Sequence, residues 1–414
     1  MLRPMSSVTL STPSTARPAA LGRSAVALLL VSAAAILSIS MGVRQSLGLF
    51  LTPMNADLGV SASAFGFALA LQNIVWGISQ PFVGMVGDRW GPRPVLVASG
   101  LVYALGLSAM AMGGPFLGLI GGGGVLAGLG IAGTSFGVLL GTVSRAVRPE
   151  RRSQTVGIVA GAGSLATLAL APLGQMLIDG WGWRTALLVF AAVAATTMLL
   201  AAGVGRVPDA ADARTTVREP VGRAVRRAIG HRGFLAMTAA FFACGFQLMF
   251  ITTHLPTYLA ICGVPPAAGA TALGLIGLGN AVGSVVIGMA GARFSQKRLL
   301  ALIYLMRTVA IAVYLATPVS VASTLVFAAT MGFLWLSVAP LVSGLVGRLF
   351  GFGAFNTLYG VVFLSHQIGS FAGAWMGGIV FDATGSYAIA WAALLAVGIA
   401  AFAIQWTMDD RPPA

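Results

Sequence analysis

Long apolar runs follow one another along the whole chain, separated by short polar stretches. Each run has about 20 residues or more, which is the length that a helix needs to cross the hydrocarbon core of a bilayer. The alternation of apolar and polar residues that is typical of a membrane-spanning strand is absent from the sequence. The pattern therefore predicts an all-α membrane protein that crosses the bilayer many times.

Twelve transmembrane helices are predicted, six on each side of a polar segment at residues 206–232. The first six are 24–52, 61–86, 94–113, 115–144, 153–178 and 184–205. The last six are 233–261, 268–292, 298–316, 320–347, 354–380 and 387–408. The predicted domains are a disordered tail at 1–23, a six-helix bundle at 24–205, a central loop at 206–232, a second bundle at 233–408 and a tail at 409–414.

Composition agrees with a membrane protein and disfavours an enzyme. Of the 414 residues, 57% are hydrophobic and 8% are charged, whereas soluble domains carry about 25% charged residues. The sequence shows no phosphate-binding loop, nucleophile elbow or metal-ligand constellation. Cys244 and Cys262 are too few for a metal or disulfide framework, and we expect them to be packing residues. No cofactor and no metal are expected.

The basic residues give the orientation. Of 24 Lys and Arg residues, 21 fall on one side of the predicted helices, Arg184 falls on the other, and Arg44 and Arg307 lie within spans. The positive-inside rule then predicts a multi-pass protein of the inner (plasma) membrane with both termini in the cytoplasm. The net charge of +14 is charge in loops beside anionic lipids, so lipids rather than nucleic acid are the expected partners. Residues 206–232 fit a solvated linker better than an amphipathic segment on that leaflet.

Two short stretches resemble each other. They are VGMVGDRWGPRP at 83–94 and IGMAGARFSQKR at 287–298, and Asp88 in the first is Ala292 in the second. Each follows the second predicted span of its half, so the chain reads as two six-helix halves in parallel repeat. A secondary transporter with its binding site near the midplane between the halves has this plan.

The first stretch also resembles the loop 2–3 signature of the major facilitator superfamily, G-x-x-x-D-R-x-G-x-[RK]. The residues that carry the resemblance are Gly84, Asp88, Arg89, Gly91 and Arg93. It covers about residues 24–408 and implies two six-helix bundles, with this loop as a gating element. Asp88 can face a helix N-terminus or a nearby Arg and hold the cytoplasmic side closed; a loop with only a topogenic role is the alternative.

Softer similarities point to one branch of that superfamily. The stretches 42–50, 171–184, 358–370 and 381–387 resemble the oxalate/formate antiporter and monocarboxylate transporter branch. Some members of that branch carry an Arg in helix 8, where this chain has only Asn280 as a large polar residue. The resemblance therefore implies transport of a small organic anion without naming the anion.

Charge within the membrane points to the same class of cargo. All ten acidic residues fall outside the predicted spans, with Asp57, Asp179 and Asp382 in outer loops. Arg44 and Arg307 thus have no carboxylate at their depth, and an uncompensated cation there is costly. A guanidinium holds a carboxylate with two parallel hydrogen bonds, so we predict a small organic anion, most simply a monocarboxylate.

Arg44 is the leading candidate for contact with this anion; bonding to helix-end carbonyls is the alternative. Arg307 is a candidate for the pathway or for structural bonding. His254 and His366 are candidates for proton relay or for packing. Further candidates for the substrate site or pathway are Gln247 and Tyr359, with Asn280, Trp335, Gln72 and Asn73 as weaker ones.

The predicted function is secondary active transport by alternating access, as proton symport or as anion exchange. One alternative is a multidrug or metabolite exporter of the same fold, although many of those carry a membrane-embedded acid that this chain lacks. A membrane receptor or sensor without transport is an alternative of another class. A monomer is expected.

Overall fold

Helices account for all the regular structure in a computed structural model that describes residues 23–147, 149–204, 221–351 and 355–412. Residues 1–22 of the predicted tail at 1–23, and residues 206–220 of the predicted central loop, lie outside the described residues. Arg23, predicted in the tail, is instead the first residue of the helix Arg23–Ser46. Over the described ranges we number twelve long helices, α1 to α12, in chain order. The short helix Val221–Ile229 between α6 and α7 is called the linker helix.

The first bundle contains six helices. Helix α1 is Arg23–Ser46, prolonged by Leu47–Phe50 and Leu51–Leu58; α2 is Ala62–Trp90; α3 is Pro92–Met112; and α4 is built from Pro115–Leu126, Ala127–Thr134 and Phe136–Ala146. One continuous helical stretch, Pro149–Leu200, changes direction at Gly182, whose φ is 81°. It therefore comprises α5 at 149–181 and α6 at 183–200.

The second bundle repeats this arrangement. Helix α7 is Arg232–Ile261, α8 is Pro266–Arg293, α9 is Gln296–Ala316, α10 is Val321–Trp335 with Val338–Phe350, α11 is Phe355–Thr384 and α12 is Ala388–Trp406. In the described part of the chain, ten stretches are long and apolar enough to cross a membrane, and Gly161–Gly203 contains parts of both α5 and α6. Helix α11 is long enough but more polar, and it packs between α7 and α2, where its polar side chains are sheltered from lipid.

Some predicted boundaries are wrong. The segment predicted as a loop at 87–93 is a single-residue turn at Gly91, whose φ of 88° permits a direct reversal into α3. Three carboxylates predicted in loops lie in helical ends instead: Asp57 in the last turn of α1, Asp179 in α5 and Asp382 in α11. Helices α2 and α11 extend a few residues beyond their apolar runs, whereas α6 and α12 are shorter than theirs.

Residues 221–229 of the predicted central loop form a helix with one apolar and one basic side. Ala224 and Ala228 are buried against the second bundle, while Arg223 and Arg226 are exposed. The guanidinium of Arg227 lies over the ring of Phe350, 5.8 Å from its centroid. The linker helix therefore packs on α7 and α11, and Arg227 also reaches Phe350 of α10.

The two ends of the molecule differ in charge. We call one end the basic face; it carries exposed arginines at the ends of α2, α3, α8 and α10 and on the linker helix, including Arg89, Arg93, Arg226, Arg293 and Arg348. We call the other end, where α1 joins α2 and α11 joins α12, the opposite face.

The two bundles meet through α2 with α11 and through α5 with α8, and they converge toward the opposite face. There the backbone at Gly66 lies against Ala374 and the backbone at Gly378 lies against Ala62, closer than any side chain would allow. Nearer the basic face, a Cβ at Gly84 would have no heavy atom of the described residues within 4 Å.

Between α5 and α8, a Cβ at Gly274 would lie 3.2 Å from Leu168, whereas a Cβ at Gly161, nearer the basic face, would lie 3.9 Å from the carbonyl oxygen of Ala281. The contacts between the bundles therefore loosen toward the basic face.

Candidate substrate site

Arg44 lies on α1 where the two bundles meet. Its Nη2 donates 2.6 Å to Oδ1 of Asn73 on α2 and contacts the sulfur of Met249 on α7 at 3.1 Å. Its Nε has no partner among the described residues. Arg44 therefore contacts both bundles, and each of these partners is uncharged.

Trp76 covers the guanidinium from α2. The carbon at the centre of the Arg44 guanidinium lies 5.0 Å from the ring centroid of Trp76, which is within cation–π distance. The indole nitrogen donates 3.0 Å to Oγ of Ser135. The ring of Phe363 on α11 packs edge-on against Trp76, with centroids 5.4 Å apart. Contacts from three helices thus hold the ring in place.

Helices α4 and α10 are interrupted at equivalent places in the repeat. Helix α4 breaks at Ser135, whose backbone is extended, and α10 breaks between Trp335 and Val338. At the second break, the backbone N–H of Leu336 donates 3.1 Å to Oδ1 of Asn280. Interrupted helices at membrane depth occur where the backbone lines a cavity or is buried in protein. Asn280, predicted as a pathway residue, binds the backbone at this break.

A second set of polar contacts crosses between the bundles beside Arg44. Nε2 of Gln367 on α11 donates 3.0 Å to the carbonyl of Asn73. The Nδ1 atom of His366 lies 3.1 Å from Oε1 of Gln367. Arg44 and His366 keep 8% and 9% of their surface exposed, whereas His254 and Arg307 keep none. Arg44 and His366 are therefore the ionisable candidates that a solute could reach.

His254 is held on both sides by the second bundle. Its Nδ1 lies 3.1 Å from the hydroxyl of Tyr387, and its Nε2 lies 2.7 Å from the carbonyl of Ala374. Gln247 on the same helix donates 3.2 Å to the carbonyl of Leu394 on α12. Both contact pairs are typical of packing residues in a helical bundle.

Arg307, Trp335 and Tyr359 lie away from Arg44 in the second bundle. Arg307 and Trp335 are buried, and their side-chain nitrogens have no hydrogen-bond partner among the described residues. Tyr359 is half-buried on α11 beside the second bundle's own core. The structure thus divides the predicted residues into one pair near the bundle interface and a group inside the second bundle.

The signature residues lie at the basic face. Gly84 and Arg89 belong to the last turns of α2, and Arg93 is exposed at the start of α3. The side chain of Asp88, the predicted gating acid, lies outside the described part of the structure.

Sequence reasoning missed three residues around Arg44: Trp76, Met249 and Gln367. Met249 and Trp76 look like ordinary membrane-helix residues, and Gln367 lies next to His366 without a pattern of its own. A weak signal was available for α11, because the polar residues Ser365, His366, Gln367 and Ser370 cluster in one stretch of an otherwise apolar helix.

Comparison with known proteins identifies membrane transporters. A family model described as Major Facilitator Superfamily matches residues 28–374. Monocarboxylate transporter 13 of Rattus norvegicus is 28% identical over 350 residues, covering 84% of this chain and 80% of that protein. Monocarboxylate transporter 11 of Homo sapiens is 29% identical over 372 residues, covering 86% and 77%. The oxalate:formate antiporter of Oxalobacter formigenes is 28% identical over 190 residues, covering 45% and 44%.

Solved structures show the same fold. The xylose transporter XylE of E. coli, in a partially occluded inward open conformation, superposes with a TM-score of 0.71 at 14% identity, covering 92% of this chain and 97% of that one. A bacterial homolog of the human lysosomal transporter Spinster, inward-facing and unoccupied, gives a TM-score of 0.69 at 12% identity, covering 93% and 95%. At these identities the likeness concerns the fold alone.

Proposed function

The chain belongs to the major facilitator superfamily, and from this premise we propose that it carries a small organic anion, most simply a monocarboxylate, by alternating access. It is a multi-pass membrane transporter and not an enzyme. The names of its relatives, which include monocarboxylate transporters and an oxalate:formate antiporter, support this class of cargo.

The observation that carries the proposal is the set of neutral partners around Arg44. Among the described residues, the ion pairs are Arg184 with Asp57 at the opposite face and Arg348 with Asp410 at the basic face. Arg44 has instead an amide, a thioether and an aromatic ring. A cation at this depth that keeps its charge gains most from an anion, and a carboxylate from the cargo supplies it.

The geometry suits a short carboxylate. The guanidinium can bind two carboxylate oxygens in parallel while Asn73 and Trp76 limit its rotation. The neighbouring Trp76, Phe363 and Met249 offer an apolar surface to a short carbon chain. A cationic drug would meet an uncompensated positive charge in the same place, which counts against the exporter alternative.

Alternating access follows from the relation of the two bundles. We assign the basic face to the cytoplasm, in accordance with the positive-inside rule, so the described conformation faces inward. Closure at the opposite face and separation at the basic face expose the site to one side only. Transport then requires the two bundles to rock against each other about the site, so that the α2–α11 and α5–α8 contacts rearrange.

The test is uptake by the purified full chain in liposomes, with radiolabelled formate, lactate and pyruvate as separate probes. We expect Arg44→Gln and Arg44→Lys each to lower uptake roughly 10- to 100-fold, because a charge-assisted hydrogen bond contributes about 1.5–3 kcal/mol. Lysine keeps the charge but cannot bind in a bidentate way. Arg298→Gln, an exposed arginine on the basic face, is the matched control. Wild-type uptake by Arg44→Gln would exclude Arg44 from the site.

The coupling mode is either proton symport or anion exchange, and the same liposomes separate them. Uptake driven by a pH gradient with no anion inside indicates symport. Uptake that requires an unlabelled anion preloaded inside the liposomes, and that does not change with the pH gradient, indicates exchange. Stabilisation of the purified protein by cationic drugs alone, with no response to any carboxylate, would overturn the proposal in favour of an exporter.

A further inference from the structure

Arg307 is a buried cation that the described protein leaves unpaired. It lies on α9, 11 residues after Gln296, which places it about 17 Å along the helix and near its middle. Its exposure is 0%. None of its three guanidinium nitrogens has a hydrogen-bond partner among the described residues. Since a buried charge without partners is strongly disfavoured, an anion bound beside Arg307 would stabilise it.

Two further donors of the second bundle have no partner among the described residues. One is the hydroxyl of Tyr304, one helical turn before Arg307 on α9. The other is the indole nitrogen of Trp335 on α10, which also has no hydrogen-bond partner among the described residues.

Trp335 lies at the depth of Arg307. The rings of Tyr314 on α9 and Phe327 on α10 stack with centroids 4.3 Å apart, so these two residues share one depth. Toward the basic face, Arg307 is seven residues from Tyr314 and Trp335 is eight residues from Phe327. These steps correspond to about 10 Å along α9 and about 12 Å along α10, two consecutive helices that run in opposite directions.

Arg307, Tyr304 and Trp335 thus place unpartnered donors at a similar depth in one bundle. Donors grouped with a positive charge are what an anion binds. A neutral alternative partner for Arg307 is Gln247 on α7. The side chains of Gln247 and of Thr308, the residue after Arg307, both approach the backbone at Gly398. The Oε1 atom of Gln247 has no hydrogen-bond partner among the described residues. An amide oxygen could accept one hydrogen bond from the guanidinium but cannot neutralise it.

This region is separate from the Arg44 site. Arg44 belongs to α1 and has partners on α2 and α7, whereas Arg307 belongs to α9 inside the second bundle. The two guanidinium groups share no hydrogen-bond partner among the described residues.

We propose that Arg307, with the Tyr304 hydroxyl and the Trp335 indole N–H, forms a second anion-binding position inside the C-terminal bundle. It takes a small monoanion such as chloride or formate. It is independent of Arg44, so it does not depend on which cargo Arg44 binds.

The test uses chloride as the probe on the purified full chain in detergent, with HEPES as the only other anion and with constant ionic strength. We expect the unfolding temperature of the wild type and of Arg44→Gln to rise saturably with chloride. Arg307→Gln should lose this response, while Arg307→Lys, which keeps the charge, should retain it with weaker affinity. In HEPES alone, Arg307→Gln should unfold at or above the wild-type temperature, because it removes an unneutralised buried charge.

Two outcomes would overturn the proposal. One is a chloride response that disappears in Arg44→Gln and persists in Arg307→Gln, which assigns the anion to Arg44. The other is an unchanged chloride response in Arg307→Gln together with a lower unfolding temperature in every buffer, which assigns Arg307 a structural role.

A second measurement remains if Arg307→Gln fails to fold. Tyr304→Phe removes one donor and keeps the charge, so we expect the half-saturating chloride concentration to rise severalfold. An unchanged value, together with crystals of the wild-type protein soaked in bromide that show no anomalous peak at Arg307, would overturn the proposal. Arg44 variants that lose uptake but keep a normal chloride response would bear on cargo binding at Arg44 and leave the Arg307 proposal unaffected. The two proposals can therefore fail separately.

Discussion

The carboxylate of Asp382 on α11 accepts a 2.9 Å hydrogen bond from the backbone N–H of Ser63 at the start of α2. Its other oxygen accepts a 3.1 Å hydrogen bond from the N–H of Ala62. A carboxylate is stabilised at a helix N-terminus because the N–H groups there are unpaired and the helix dipole is positive. Asp382 and Ser63 belong to different bundles, so this contact contributes to closure of the opposite face.

We expect Asp382→Asn to weaken this closure. Loss of the charge at the helix terminus should cost about 0.3–1 kcal/mol, a roughly two- to fivefold shift toward conformations open at the opposite face. The measurement is the distance distribution between spin labels at Ala56→Cys and Ala388→Cys, two exposed positions on that face, in a background without native cysteines. Asp410→Asn, which removes an ion pair at the basic face, is the control. An unchanged distribution in Asp382→Asn would show that the contact does not contribute to closure.

A cross-link between α1 and α7 should arrest the transporter. The hydroxyl oxygens of Thr52 and Thr257 lie 3.3 Å apart at the opposite face, one in each bundle. In a background in which Cys244 and Cys262 are replaced, Thr52→Cys with Thr257→Cys should form a disulfide. Uptake should fall to background on oxidation and return on reduction, as measured in liposomes. The single variant Thr52→Cys should be insensitive to both treatments; normal uptake by the oxidised double variant would contradict alternating closure at this face.

The two membrane histidines should respond differently to substitution. His254→Phe removes the partner of the Tyr387 hydroxyl and of the Ala374 carbonyl, so we expect a loss of about 1–3 kcal/mol in stability. Thermal unfolding measures this loss, and uptake per folded molecule should remain near that of the wild type. A normal unfolding temperature would argue against a packing role.

His366→Gln should affect coupling rather than stability. Its ring reaches Gln367 and Ser370 and keeps some exposure beside the Arg44 site. If a proton is carried on this ring during symport, His366→Gln should abolish the acceleration of uptake by a pH gradient while carboxylate-induced thermal stabilisation persists. Uptake that responds to the gradient as in the wild type would remove His366 from coupling.

The membrane spans, the two-fold repeat and the distribution of charge can be predicted from the sequence alone. The length of each apolar run predicted twelve spanning helices, because the bilayer imposes a minimum length on any helix that crosses it. The repeated stretch at 83–94 and 287–298 predicted two halves, and the distribution of arginines predicted a basic face. Gly91 was within the segment read as a loop, but its role as a single-residue turn depends on a positive φ that composition does not reveal.

The surroundings of the two membrane arginines were decided by the tertiary structure. Arg44 meets Met249, 205 residues away in sequence, because the two bundles converge there, and no periodicity along one helix encodes that meeting. Both arginines have the same local signal, a cation within an apolar run. Only packing leaves Arg44 8% exposed between the bundles and buries Arg307 completely without a hydrogen-bond partner among the described residues. Local pattern determines which segments enter the membrane, whereas the contacts that select a ligand arise between segments far apart in the chain.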